Sequence, residues 1–256
     1  MTRPPVSACI ITYNEGENIR RCLESVKWVD EIVVVDSYSG DATVNICREY
    51  TDRIHQREFT GHIEQKNYAL QCANYDWVLC IDADEELSPQ LALELQTELE
   101  ENSDQHQGFL FPRRAFYLGR WIEHSGWYPD YKLRVFRKSL GGWGGINPHD
   151  KVELNGKTKR LNNDLYHFTY EDMSHHIRTI NSFSSIYVKE ALKRGERFNL
   201  SKLILRPPLK FLEIYLYKKG FMDGLPGFVI AIVSSYYIFQ RYAKMWEAQR
   251  TGNSPA

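Results

Sequence analysis

The chain has 256 residues, 43% hydrophobic and 25% charged, with 32 Lys+Arg against 33 Asp+Glu and a formal net charge of −1. That size and composition suit one large globular domain, or one domain with an appendage, and the charge balance excludes a general nucleic-acid binder, which needs a basic excess to neutralise phosphates. Five cysteines, odd in number and with no CxxC pair, exclude a disulfide framework and a zinc module and point to free thiols in a reducing compartment.

Residues 1–5 are short and polar, so no secretory signal is expected there. Residues 6–13 (VSACIITY) form an apolar run, as in a strand covered on both faces. Residues 14–27 place Ile19, Leu23 and Val26 at helical spacing, with Asn14 as the expected N-cap. A second strand, 31–36 (EIVVVD), leads into the turn 37–41 and a helix to about residue 50. A short strand at 53–57 and a helix at 63–73 follow, and then the strand 76–81 (DWVLCI) ends in Asp82-Ala83-Asp84. Strands alternating with helices imply a parallel sheet with right-handed crossovers. Residues 88–101 predict a helix with Ser88 as cap, Pro89 in its first turn, and Leu91, Leu95 and Leu99 on one stripe.

From Gly108 the texture changes to aromatic-rich short strands and loops, with GGWGG at 141–145, and a helical tail begins after His167. Charge is uneven along the chain. Residues 82–107 hold nine acids and no Lys or Arg, read as a solvated face. Residues 193–250 hold eleven basic and four acidic residues, a net +7.

Ligands of open α/β sheets bind beyond the carboxyl ends of the strands. Three strand ends here carry suitable polar groups: Thr12-Tyr13-Asn14-Glu15, the run Asp36 to Asp41, and Asp82-Ala83-Asp84. Two carboxylates at i, i+2 past a strand can reach one divalent cation or a metal-bound diphosphate, and oxygen ligands suit Mg²⁺ or Mn²⁺. With no GxxxxGK[ST] loop and no GxGxxG, a metal held by acids is the natural way to bind a diphosphate.

ITYNE, VVVDSYSGDAT and WVLCIDADEEL, in that order and spacing, resemble a family-2 glycosyltransferase of the GT-A fold. The later segments RRAFYLGRWIEHSGWYPDYKLRVFRK, NPHDKVELNG and KKGFMDGLPGFVIA resemble the lipopolysaccharide core β-1,4-glucosyltransferase subgroup. The resemblance implies a mostly parallel sheet with helices on both faces plus a helical C-terminal extension. The catalytic domain would span residues 1–170, with a nucleotide-binding half at 1–87 and an acceptor half at 88–170, and the extension would span 171–256. It also implies inverting transfer of a sugar from a nucleotide-sugar donor, UDP-hexose in that subgroup, to a glycan or glycolipid acceptor. Thr12, Tyr13, Asn14 and Glu15 would line the base and ribose pocket. Asp36 would bind the base or ribose beside Ser37 and Ser39, and Lys66 and Asn67 would contact the nucleotide. Asp82 would touch ribose or metal, and Asp84 would be the main metal ligand.

Inverting transfer needs one carboxylate to take the acceptor proton. Asp150, after the Gly-rich stretch, and Glu85, beside the metal motif, are the two candidates. The subgroup commonly shows His-Glu where this chain has His149-Asp150, a shorter reach. His149 and His167 are further metal or phosphate contacts to test, and Trp127, Tyr128 and Trp143 suit stacking on sugar faces.

Residues 227–239 are an apolar run of thirteen, shorter than the roughly 20 needed to span a bilayer. Flanking cations and the break at Pro207-Pro208 suggest an interfacial element on an anionic membrane surface, placing the protein on the inner face of the cytoplasmic membrane. The alternatives are a nucleotidyltransferase and a non-catalytic, membrane-associated scaffold with a degenerate GT-A domain.

Overall fold

The apolar runs of the first 87 residues become parallel strands with their carboxyl ends in one row. β1 (Val6–Thr12), β2 (Glu31–Asp36), β3 (Ile54–Gln56) and β4 (Trp77–Asp82) stand in the order β3-β2-β1-β4. The register sets Thr12 opposite Asp36 and Ile11 opposite Asp82. In this computed structural model, residues 3–147, 149–170 and 172–252 are described, and the chain divides into two units: Met1–Arg114 with Pro129–Phe168, and Ala115–Tyr128 with Thr169–Ala256.

In the first unit, period-two alternation sends successive side chains of β1 to opposite faces. Val6, Ala8 and Ile10 join a core with Ile19 and Leu23 of α1 (Ile19–Ser25) and with Leu91, Leu95 and Leu99 of α4 (Pro89–Asn102). Cys9 packs on the other face with Val35, Cys80 and Ala69 of α3 (His62–Cys72). Helices therefore cover both faces, and all five cysteines are free. Ser88 caps α4 as expected, its hydroxyl accepting from the Leu91 amide at 3.1 Å. α2 (Thr43–Cys47) is shorter than the sequence suggested.

Beyond β4 the sheet is mixed. β5 (Glu85–Leu87), β6 (Gly108–Tyr117), β8 (Asp130–Arg137) and β12 (Leu165–Phe168) continue it in the order β4-β8-β6-β12-β5, and β11 (Thr158–Arg160) joins β6. β8 runs antiparallel to both β4 and β6. β9 (Gly141–Ile146) and β10 (His149–Leu154) form a separate antiparallel pair. Pro148 and the His149 side chain lie outside the described residues.

The second unit holds β7 (Arg120–Trp121), paired with the end of β6, and α5 (Met173–Lys193), α6 (Leu200–Leu212) and α7 (Gly224–Thr251). Pro207-Pro208 does not break the chain. α6 runs through both prolines, and the Ser235 hydroxyl donates to the Pro207 carbonyl at 2.8 Å. Buried Asp223 accepts from the Glu123 and His124 amides, each at 3.1 Å, and from the Ser125 hydroxyl at 2.7 Å. Gly227 must stay glycine, since a Cβ there would sit 1.9 Å from the Gly220 carbonyl oxygen. Trp127 packs with Tyr117, Tyr170 and His176 in an aromatic core rather than presenting a sugar platform.

His176 is buried, hydrogen-bonds the Tyr117 hydroxyl at 2.7 Å, and has its pKa pushed down to about 4 by burial, with His175 adding to the effect. An unfolded histidine takes a proton near 6.5, so between about 6.5 and 4 the unfolded chain binds a proton that the folded chain refuses. Stability should be full above that window and fall as pH drops through it, by up to about 1.4 kcal/mol per unit. Thermal melts of wild type and His176→Gln between pH 7 and 4.5 check this. The wild-type midpoint should fall more steeply, and parallel curves would refute it.

Candidate active site

The loops after β1 and β2 are laced to each other. The Ser37 amide donates to the Thr12 carbonyl at 2.9 Å, the Asn14 amide to the Ser39 hydroxyl at 2.9 Å, and the Gly40 amide to Asn14 Oδ1 at 2.8 Å. Glu15 and Gly16 amides donate to the Thr43 hydroxyl and Asp41 carboxylate. Asn14, at φ 53°, is thus a left-handed latch and not a helix cap; α1 begins only after Asn18. Asn and Asp tolerate that backbone region better than other L-residues do.

Asp36 departs from its expected role. Its carboxylate is fully buried and accepts from the Ser39 amide at 3.0 Å, the Ser39 hydroxyl, and Gln56 Nε2 at 3.3 Å. Asp36 and Ser39 therefore shape the loop from behind. The surface they hold in place is a cavity of about 260 Å³ lined by Thr12, Tyr13, Glu15 and Ser37 on one side and by Asp82, Asp84 and His167 on the other. The Thr12 hydroxyl is buried without a hydrogen-bond partner, an acceptor or donor left for a ligand. Phe59 and His62, which no sequence pattern marks, also line this cavity.

A second cavity, of about 530 Å³, adjoins Asp82 and is lined by Lys66, Trp143, Asp150 and the β8 residues Tyr131 to Arg134. Lys66 Nζ lies 2.8 Å from Asp150 Oδ2 and 3.1 Å from Asp82 Oδ1, and 4.3 Å from the centre of the Trp143 ring. Arg134 NH2 reaches Asp82 Oδ2 at 2.8 Å and Glu85 Oε1 at 2.9 Å. Burial alone would raise the Asp82 pKa, but the Lys66 and Arg134 charges outweigh it and hold the carboxyl far below the usual range. Arg134 owes its aim to a bulge. Val135 pairs Phe109 and Leu133 pairs Leu110, so Arg134 is the extra residue between them.

Two further expectations are corrected here. Asn67 lines neither cavity. Its Nδ2 donates to the Trp143 carbonyl at 2.8 Å and its Oδ1 accepts from the Trp143 amide at 2.9 Å, clamping β9 onto α3. Glu85, one of the two candidates for the base, has a side chain with no exposed surface; it takes Arg134, Arg113 at 3.2 Å and the Asp82 amide at 3.1 Å. No oxygen of Glu85 is free to meet an acceptor hydroxyl, whereas Asp150 opens onto the second cavity. No sequence pattern singled out the cations Arg113 and Arg134 within RRAFY and YKLRVFR.

Among the described residues, no group of three His, Cys, Asp or Glu side chains gathers around one point. Asp84 Oδ2 and His167 Nε2 do meet, at 3.0 Å, and both are partly exposed in the first cavity. Mg²⁺ and Mn²⁺ bind through one or two protein groups completed by substrate phosphates and water, so this pair fits a cation delivered with a nucleotide diphosphate. Asp82, already shared by two cations, suits it less.

A family model described as "Glycosyl transferase family 2" matches residues 7–154. The chain is 32% identical to the lipopolysaccharide core biosynthesis glycosyltransferase LpsC of Rhizobium meliloti, over 95% of this chain and 92% of that protein. It is also 32% identical to an uncharacterized glycosyltransferase of Rickettsia typhi, over 94% and 87%. A mannosyltransferase of Pyrobaculum calidifontis, solved with GDP-Man and Mn²⁺, has a similar fold, with a TM-score of 0.58 at 14% identity over 96% of this chain and 88% of that one.

If Asn67 is a clamp, Asn67→Ala should cost about 1–3 kcal/mol, the usual penalty for unsatisfied buried backbone groups, while nucleotide affinity changes less than about threefold. Urea melts and nucleotide titration check both halves. A large affinity loss at unchanged stability would return Asn67 to the nucleotide site.

Proposed function

The chain belongs to glycosyl transferase family 2 and is a hexosyltransferase of the GT-A fold, and we propose that it transfers a hexose from UDP-hexose, with inversion, to a glycan or glycolipid acceptor. The observation that carries this reading is the Lys66 bridge, which ties Asp82 at the mouth of the nucleotide-sized cavity to Asp150 in the larger one. UDP and the acceptor class, in lipopolysaccharide core or another cell-envelope polysaccharide, rest on the subgroup resemblance and the similarity to LpsC. The family match displaces the nucleotidyltransferase and scaffold alternatives.

In this reading Thr12, Tyr13, Glu15 and Ser37 hold the nucleoside, and Asp36, Asn14 and Ser39 keep that surface in place. The donor sugar passes Asp82 into the second cavity, where Trp143 and Asp150 await it. Lys66 fixes one oxygen of Asp150, so the carboxylate is oriented. The free oxygen takes the proton of the acceptor hydroxyl as that oxygen bonds to the anomeric carbon and the nucleoside diphosphate departs from the opposite face. Asp84 and His167 would hold the divalent Mg²⁺ or Mn²⁺, which when bound offsets charge on the leaving diphosphate. Glu85 acts as a positioning residue, keeping Arg134 and the Asp82 turn in place.

We also propose that the second unit rests on the inner face of the cytoplasmic membrane. α6 buries no residue and exposes Leu200, Ile204, Leu205, Leu209 and Leu212, with Lys202 and Arg206 exposed beside them. The turns that follow expose Tyr217 (84%), Phe221 and Met222, and α7 adds Leu225 (73%). The apolar run of 227–239 lies in a longer helical stretch, Gly220–Thr251, which by length and composition could span a bilayer. Attachment on the surface fits α7 better. Lys244 donates to Asn181, Ser184 and Ser185 of α5, each at 2.8 Å, Arg241 stacks on Tyr187, and Met245 and Ala248 are buried. An exposed apolar face rimmed by cations matches an anionic lipid surface.

Asp150→Asn should lower transfer at least ~10²-fold with unchanged nucleotide binding, a rate loss larger than the fall in melting temperature from leaving buried Lys66 with Asp82 alone would explain. Glu85→Gln should chiefly lower the melting temperature, because it strands buried Arg134; rate loss confined to Glu85→Gln would move the base there. Asp84→Asn should abolish the Mn²⁺-dependent part of nucleotide binding in a titration, and equal binding with metal would refute the ligand assignment. Full-length protein should co-sediment with anionic vesicles at low salt, and Leu205→Glu/Leu209→Glu should stay in the supernatant while keeping its circular dichroism spectrum. Wild type remaining in the supernatant would end the membrane reading.

A further inference from the structure

The charged part of the second cavity's wall is mostly cationic. Lys66, Arg113, Lys132, Arg134 and Lys151 line it, against Asp82 and Asp150 alone among acids. A pocket that only had to seat neutral hydroxyls would have no need of that wall, and its volume of about 530 Å³ lies within the range of small-ligand sites. The acids that balance these cations are shared. Asp130 serves both Arg113 at 2.9 Å and Lys132 at 3.0 Å, and Glu85 serves both Arg113 and Arg134. Arg134 is 4% exposed and spends only NH2 on its two carboxylates, leaving Nε and NH1 buried and without hydrogen-bond partners. Arg134 is one of the residues lining the cavity, buried guanidinium donors without partners are costly, and a planar or tetrahedral oxyanion is the ligand that suits a wall of such cations.

We propose that Arg134, Arg113 and Lys132 form an anion subsite for the acceptor, so that the sugar receiving the hexose carries a phosphate or carboxylate group near its reacting hydroxyl. This rests on the transferase reading above and adds the chemical class of the acceptor. The anion sits against β8, Asp150 faces the hydroxyl, and the apolar side chains of Leu110, Leu133 and Val152 take the carbon skeleton. Phosphate and carboxylate present the same oxyanion chemistry to this wall, and the choice of probe separates them.

The test uses the full-length protein saturated with UDP and Mn²⁺, so that the diphosphate site is filled, and titrates glucose 6-phosphate, glucuronic acid and glucose by calorimetry or ligand-observed NMR. At least one charged sugar should bind about tenfold or more tightly than glucose, the factor that one charge-assisted hydrogen bond supplies. Which one does so identifies the anion. Lys132→Gln, at a partly exposed position that leaves the buried pairs intact, should reduce that preference to about threefold or less without changing UDP affinity, and Arg113→Lys should do the same in part. Equal affinity for the three sugars, or none for any, overturns the proposal. So does a Lys132→Gln variant that loses UDP affinity instead, because the cations would then serve the donor. If UDP and Mn²⁺ fail to bind at all, the transferase reading fails, while the sugar comparison still decides the subsite on the free protein.

Discussion

The ammonium of Lys66 stands almost out of water between the carboxylates of Asp82 and Asp150, with the Trp143 ring against it. Removing such a charge from water costs several kcal/mol, and only well-placed counter-charges offset it. The end of β4, the middle of α3 and the start of β10 therefore hold one another in position. If any one shifts, a charge is left stranded. The same bridge sets the distance between the two cavities' carboxylates, so in the proposed reaction one electrostatic constraint would fix both the local fold and the spacing from diphosphate to base.

Arg134 extends this network across the sheet. A bulge in β8 releases it from cross-strand pairing, and it crosses to Asp82 and to buried Glu85. Glu85 in turn braces the Asp82 backbone amide at 3.1 Å. The acidic turn after β4 is thus divided by environment. Asp82 and Glu85 are absorbed by cations, while Asp84 faces the cavity with His167. Three acids within four residues thus meet different surroundings because their partners differ, which is how neighbouring carboxylates come to behave differently.

The second unit follows a different logic. An aromatic core around Tyr117 and the buried Asp223 clasp hold it together, and α6 packs on α7 through Pro207 and Phe211 yet leaves Leu200, Ile204, Leu205, Leu209 and Leu212 exposed. An apolar stripe left facing water contributes little stability, and it is this stripe that the proposed membrane contact would cover.

Local sequence rules determined the strands β1, β2 and β4, the capped helix α4, and the three polar strand ends, since alternation, β-branched runs and a Ser-Pro start act within a few residues. They also singled out Thr12, Asp84 and Asp150, each of which lines one of the two cavities. They could not assign Asp36, Asn67 or Glu85, whose residue types suit a ligand as well as a scaffold. What decided those was the partner, and partners come from far along the chain: Trp143 lies 76 residues from Asn67, and Asp150 lies 84 from Lys66. The mixed half of the sheet and the aim of Arg134 were likewise settled only by tertiary structure. A register shift in an antiparallel pair leaves no mark on periodicity, and a buried charge reveals its role only through the opposite charge it meets.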